Sequence, residues 1–209
     1  MNWIFISWFV IMNIESTIEK LESCDIMLKQ SHDFIGWAIS SAFHKDSLLS
    51  WYAVKYTEQP SSHNGIFGYD ANMKPVIFEA VGSGFIPTPI EDYIKAVYDG
   101  ECELKFARPM NGWSDEQKEM GREWCLKHLY TGYDYRAFIS FIWRILLRLP
   151  PFWNSQDKAK FWCTEADAEL YMYLDERWGK IFPEMPCPYT IEKLIIKGEL
   201  KVVDEWYRR

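Results

Sequence analysis

Histidine is scarce in this chain of 209 residues, which holds four: His32, His44, His63 and His128. Cysteine is nearly as scarce, with five residues at 24, 102, 125, 163 and 187, none of them paired as Cys-x-x-Cys. A structural zinc site has little support from that set. An odd number of widely spaced thiols in a chain this long is also not the framework of a disulfide-stapled secreted module. A reducing, cytoplasmic setting is the simpler expectation. There is no block of Lys or Arg, and 23 basic against 30 acidic residues leave a net charge of -7. That balance argues against a nucleic-acid partner. No apolar run free of charge reaches the roughly 20 residues that a membrane-spanning helix needs. Internal repeats and low-complexity linkers are absent.

Aromatic residues, by contrast, are plentiful: 11 Trp, 12 Tyr and 13 Phe make up 17% of the chain. They must be buried or face a partner, so disorder is excluded as the main state. Length and an ordinary apolar content of 48% fit one domain over residues 1–209. Residues 1–22 read as an apolar N-terminal extension opening MNWIFISWFVIM. This stretch lacks the basic start and small-residue cleavage site of a signal peptide. Three readings of it stand: a buried first element, which is preferred, a membrane-surface foot, or an upstream extension if translation starts at Met12.

The pattern along the chain is α+β. Helical spacing runs over Ile14–Leu21, and a further helix is expected within 31–50. Short strands are expected at Cys24–Leu28 and Glu103–Arg108. Gly65–Tyr69 and Val76–Ala80 flank the turn-rich Asp70–Pro75 and predict a hairpin. Gly82, Gly84, Pro87 and Pro89 predict a loop, and Ile90–Tyr98 a short helix. Ser114 and Gln117 have the spacing of a capping box, opening a helix to about Tyr130 with Gly132 as its terminator. Helices are further expected at Tyr135–Leu149, from Cys163 to about Glu176, and at Ile191–Ile196. Leu200–Val203 reads as a closing strand.

Three residues stand in settings suited to chemistry. His63 begins a strand, where a ring is rigidly aimed. Cys163 precedes the polar, helix-opening Thr164-Glu165. A thiol at a helix N-terminus is favoured as the nucleophilic thiolate, and a neighbouring imidazole favours it further. Backbone N–H groups at the same helix end can hold an oxyanion. Glu79 is a carboxylate in an apolar strand, which is costly unless paired, and orienting His63 would provide the pairing. On residue types alone, ordinary packing roles for these three weigh as much as catalysis. Cys125 and His128 form a Cys-x-x-His on a helix, better read as a solvated helix face than as metal ligands.

The order of local motifs resembles the YiiX/YebB-like group, a circularly permuted branch of the NlpC/P60 papain-like cysteine peptidase superfamily. Cys24-Asp25-Ile26-Met27-Leu28 resembles its opening Gly-Asp and strand. Ser62-His63-Asn64-Gly65-Ile66 resembles its histidine strand. Lys74 to Val81, with Thr88-Pro89-Ile90, resembles its Glu-Ala strand and the Thr-Pro before a helix. Phe161-Trp162-Cys163-Thr164-Glu165 resembles its Cys-Ser-Glu nucleophile helix. Gly132-Tyr133-Asp134 and Pro186-Cys187-Pro188 are weaker echoes. The resemblance covers about Cys24 to Ile196.

It implies a circularly permuted papain-like fold, with an antiparallel sheet packed against the nucleophile helix. It also implies Cys163 as nucleophile, His63 as general base and acid, Glu79 as the residue orienting the ring, and Gln30 as a weaker oxyanion donor. No metal and no organic cofactor is called for. The expected activity is cleavage of an amide bond through an acyl-enzyme, on a peptide, isopeptide or lipid amide. Departures from the pattern are Cys24 for Gly, Asn64 for an aliphatic residue, and Ala166-Asp167 for Leu-Val. Asp167 places negative charge one turn from Cys163, so a catalytically inactive binding module is an alternative. A further alternative comes from residues 135–153, an apolar helical insertion. Its helix at 135–149 is expected either in the core or at a membrane surface, where the chain would act as a lipid acyltransferase or hydrolase.

Overall fold

Alternating and apolar runs become strands, and the polar interruptions become turns. The computed structural model describes residues 18–32, 61–136, 160–183 and 186–206. Its strands in chain order are β1 (Ile26–Ser31), β2 (His63–Tyr69), β3 (Pro75–Val81), β4 (Gly84–Pro89), β5 (Cys102–Pro109), β6 (Gly132–Tyr133), β7 (Lys160–Phe161) and β8 (Leu200–Trp206). The helices among the described residues are α1 (Ile90–Asp99), α2 (Asp115–Lys127), α3 (Cys163–Leu174), α4 (Trp178–Ile181) and α5 (Pro188–Ile196). Six strands make one sheet in the order β4-β3-β2-β1-β5-β8, and every neighbouring pair is antiparallel. Strands β6 and β7 form a separate parallel pair. This is an α+β fold.

The expected hairpin is β2–β3. Its turn is set by Asp70, whose Oδ1 accepts the backbone N–H groups of Asn72 and Lys74, both at 2.8 Å. An Asx turn of this kind reverses the chain without help from distant residues.

Strand alternation divides the core in two. Met27, Phe67 and Ile77 point to one face of the sheet, beneath Ile90, Ile94 and Val97 of α1. Ile26, Ile66 and Phe78 point to the other, against α2, α3, α4 and α5. Among the described residues, most of the buried aromatic side chains lie in this second layer. Phe85, Trp124 and Phe161 meet at centroid distances of 5.6–6.0 Å. Tyr171 stands edge-on to both Trp113 and Trp178, at 5.0 Å each. Helix α3 is buried over most of its circumference, including Thr164, Ala166, Asp167, Ala168, Leu170 and Tyr171. A helix buried on so many sides is a core helix.

Two local expectations are corrected. Gly82–Pro89 is not simply a loop, because Gly84–Pro89 forms β4 at the sheet edge. Proline is tolerated there because an edge strand has one side free of ladder bonds. That side is covered in part by a chain segment: Phe85 N–H donates to Thr131 O at 2.8 Å, and Tyr130 N–H to Phe85 O at 2.7 Å. The helix opened by Ser114 ends at Lys127 rather than Tyr130, and Gly132 does not terminate it. Gly132 is instead in β6, pairing with Lys160 beside the start of α3. The capping box itself forms as expected: Gln117 N–H donates to Ser114 Oγ at 3.2 Å, and Ser114 N–H to Gln117 Oε1 at 3.1 Å. The expected helices within 31–50 and over 14–21, and the apolar helix 135–149, lie wholly or largely outside the described residues.

Candidate active site

The site is built where β2 begins and α3 begins. In the β2–β3 ladder Ile66 faces Phe78 and Phe67 faces Ile77. One step further along, Gly65 stands across from Glu79. His63, Gly65 and Glu79 therefore share the α1 face of the sheet. Glu79 reaches past the glycine, and its Oε2 lies 2.6 Å from His63 Nε2. The glycine is required: a Cβ at 65 would fall 2.5 Å from Ile77 Cγ2 and 3.3 Å from Glu79 Cβ.

Glu79 is buried but fully engaged. The Tyr93 hydroxyl, from α1, donates to its Oε2. The Thr88 hydroxyl, from β4, donates to its Oε1. Burial favours the neutral acid, but the imidazole and the two hydroxyls outweigh it and hold the carboxyl below its ordinary range. Burial also opposes charge on His63. Hydrogen bonding to Cys163 and Glu79, with their negative charge, overcomes it and pushes the imidazole up to about 10. The structure thus brings Cys163, His63 and Glu79 into one connected group.

Cys163 is the first residue of α3. Its Sγ lies 3.8 Å from Thr164 Oγ1. Asn64 Nδ2 donates to Thr164 Oγ1 at 3.4 Å. The residue after His63 is thereby linked to the residue after Cys163, across the β2–α3 interface.

Gln30 stands on β1 opposite Glu103. Its alternation with Ile26 and Leu28 puts it on the sheet face that α3 covers. Tyr133, which the sequence offers only within the weaker echo Gly132-Tyr133-Asp134, lies beside that connected group. It precedes Asp134, whose backbone N–H donates to Phe161 O at 3.0 Å, and it lies near enough to Cys163 for the two charges to interact. Its ring stands edge-on to Tyr135 at 5.0 Å. Sequence reasoning misses Thr88 and Tyr93 as partners of the carboxylate. The available signal is a lone hydroxyl at 93 among the apolar residues Ile90, Ile94 and Val97 of one helix face. The reading of Cys125 and His128 as a solvated helix face is corrected: Cys125 is buried in the core and His128 is half-buried. His128 stacks on Trp124 at 4.1 Å, and its Nδ1 bonds Trp124 O at 2.7 Å.

No family model matches the chain, and no curated protein matches it. Among solved structures it is similar to the crystal structure of the metalloprotein yiiX from Escherichia coli O157:H7, DUF1105, with a TM-score of 0.57 and 20% identity. That likeness covers 90% of this chain and 99% of the other, so the two share a fold over nearly their whole lengths. Among the described residues, no group of three or more His, Cys, Asp and Glu side chains is arranged to hold a metal ion. Both oxygens of Glu79 are already taken by His63, Tyr93 and Thr88.

Proposed function

We propose that the chain is a cysteine hydrolase of the permuted papain-like type, cleaving an amide bond with Cys163, His63 and Glu79. One observation carries the reading. A buried carboxylate, held by two hydroxyls, binds one nitrogen of an imidazole that also interacts with a cysteine at a helix N-terminus. Nucleophile, base and orienting group are the three parts that covalent acyl transfer needs. Their order along the chain, histidine strand, glutamate strand, then cysteine helix, is what the permuted group would require.

In this mechanism the thiol proton of Cys163 is already held by His63, and Cys163 Sγ attacks the amide carbonyl. The tetrahedral oxyanion is held by backbone N–H groups at the start of α3, with Gln30 as a second donor. His63 then gives its proton to the departing amine, and a thioester forms. Water, deprotonated by His63, attacks the thioester and releases the acid and the thiol. Glu79 keeps the ring in place and stabilises its charged form throughout. Substrates are peptide, isopeptide or lipid amides, and Tyr133 lines the approach to Cys163.

Alkylation by iodoacetamide, followed over pH with mass spectrometry locating the labelled residue, tests this. Burial pushes the thiols of Cys24, Cys102, Cys125 and Cys187 up, so these four are poor nucleophiles. The expected result is selective labelling of Cys163 in mildly acidic buffer, lost in His63→Ala. Labelling of Cys163 that ignores His63→Ala would overturn the mechanism and favour a module that binds without turnover.

A further inference from the structure

Asp167 is fully buried on α3, one turn beyond Cys163. Among the described residues neither of its carboxyl oxygens has a hydrogen-bond partner. Across the interface, buried Asn64 spends one N–H on Thr164 Oγ1, and among the described residues its Oδ1 is also without a partner. Asn64 is close enough to favour charge on Asp167, but burial outweighs it and pushes the carboxyl up to about 7.

Counting donors and acceptors decides between the two forms of Asp167. As a carboxylate it would be a buried anion with a single neighbouring donor, the second N–H of Asn64, beside that amide's own bare oxygen. As a neutral acid it has one O–H donor and one carbonyl acceptor. The amide has the matching set: Oδ1 to accept the O–H, and its second N–H to donate to the carbonyl. A two-point acid–amide pair leaves nothing at Asn64 or Asp167 unsatisfied. The surroundings favour it. Titratable groups facing Asp167 are His63 on β2, Cys125 on α2 and Tyr171 on its own helix. The neighbouring face of β3 presents Phe78 and Ala80, and α4 presents Trp178. Of these only His63 carries positive charge; it favours the carboxylate of Asp167, but it is already bonded to Glu79, and burial outweighs it.

We propose that Asp167 is kept as the neutral carboxylic acid and, paired with the Asn64 amide, is a positioning residue that locks the His63 strand to the Cys163 helix. The role rests on the hydrolase reading; the protonation does not. Residues 64 and 167 flank His63 and Cys163, so the pair fixes the distance over which the imidazole and the thiol meet. Buried polar pairs are a known means of fixing the register of packed elements.

Wild type, Asp167→Asn and Asp167→Leu are compared in two measurements. The first is urea unfolding over pH. A carboxyl whose folded pKa is raised stabilises the protein below its unfolded value and loses that contribution as pH climbs to the folded one. Between the ordinary 3.8 and about 7, the unfolding constant of wild type rises by about tenfold per pH unit relative to Asp167→Asn. Equal pH dependence in the two proteins overturns the neutral acid. The second is the pH profile of Cys163 alkylation. Asp167→Asn, which preserves the two-point pair, keeps the wild-type rate in mild acid, whereas Asp167→Leu labels at least about tenfold more slowly, as a lost positioning contact predicts. Leucine behaving like asparagine overturns the positioning role. If Asp167→Leu fails to fold, the role is read from wild type against Asp167→Asn, whose labelling rates must diverge above about pH 7, where Asp167 loses its proton; rates that stay equal overturn it. A pH dependence removed by Asp167→Asn, with no selective labelling of Cys163 in wild type, supports the neutral pair while the hydrolase reading fails. Selective labelling with no such pH dependence overturns the pair alone.

Discussion

Gly65 lies across the ladder from Glu79, and its missing side chain lets the carboxylate reach His63. The histidine, glycine and glutamate are thus one device spread over two strands. Strand alternation brings all three to the α1 face, and the glycine opens the diagonal between the other two.

Replacing this glycine tests the device. Gly65→Ala puts a methyl group 2.5 Å from Ile77 Cγ2 and 3.3 Å from Glu79 Cβ, and the strands must move. The expected cost is about 1–3 kcal/mol, as for other overpacked cores. It is read as a lower urea midpoint with unchanged slope. The imidazole of His63 should also titrate at lower pH by NMR, because its carboxylate has been displaced. A variant as stable as wild type, with an unchanged His63 titration, would contradict the account.

Glu79→Gln separates charge from shape. The amide fills the same space but removes the negative charge that helps to hold His63 protonated. The His63 pKa should fall by about one to three units. Stability should change with it. A raised imidazole pKa stabilises the fold fully below its unfolded value near 6.5 and loses that contribution as pH rises toward about 10. The wild type should therefore lose stability through the alkaline range, and Glu79→Gln should lose less. Parallel stability curves for the two proteins would show that the pair does not set the imidazole charge.

Much of this frame is legible in the order of residues alone. Strands β2 and β3 show because apolar runs are broken by Asp70–Pro75, and Asp70 makes its turn from local atoms. The Ser114–Gln117 box is equally local. The parts that are not legible depend on distant partners. Gly84–Pro89 reads as a loop because two prolines deny ladder bonds, and only an edge position excuses them. Gly132 reads as a helix terminator because its true partner, Lys160, is 28 residues away. The site divides the same way. Cys163, His63 and Glu79 stand out by setting and by resemblance. Thr88 and Tyr133 occur in the resembled motifs but with no role, and Tyr93 in none, since a hydroxyl names no partner until the fold supplies one. Asp167 is conspicuous in the sequence only as an unwelcome charge, and its burial beside Asn64 gives it a different meaning.

Cys24 occupies a place where the resembled group has glycine, and its backbone explains that preference. Its φ is 74°, in the left-handed region. Its Sγ rests against α2 at Gly121, where an added Cβ would fall only 2.2 Å from the sulfur. Gly121→Ala should therefore destabilise by about 1–3 kcal/mol, although alanine in a helix interior ordinarily stabilises by about 1 kcal/mol over glycine. In Cys24→Gly the sign should reverse, because the left-handed backbone is relaxed and the sulfur is gone. A double-mutant cycle on urea unfolding measures the coupling. Additive effects would mean that the two positions do not touch.

The last expectation concerns what holds β1 beside β5. Asp25, fully buried just before β1, accepts Arg108 Nε at 2.8 Å and Nη2 at 2.7 Å. Arg108 on β5 also binds Glu22 at 2.6 Å and Lys20 O at 2.8 Å. Burial pushes Asp25 up to about 6 even with the guanidinium beside it. Arg108→Met removes the only cation bonded to that carboxylate among the described residues, and the expected loss is about 3–5 kcal/mol at neutral pH. The loss should shrink in acid, where Asp25 is protonated in both proteins and no buried charge is left unpaired. Asp25→Asn in the Arg108→Met background should recover most of it at neutral pH. Urea unfolding of the four proteins at two pH values decides the matter. An Arg108→Met penalty independent of pH, or one that Asp25→Asn leaves in place, would assign the arginine to packing alone. The penalty predicted here follows from the charge, because the hydrocarbon of methionine can still fill much of the arginine's space.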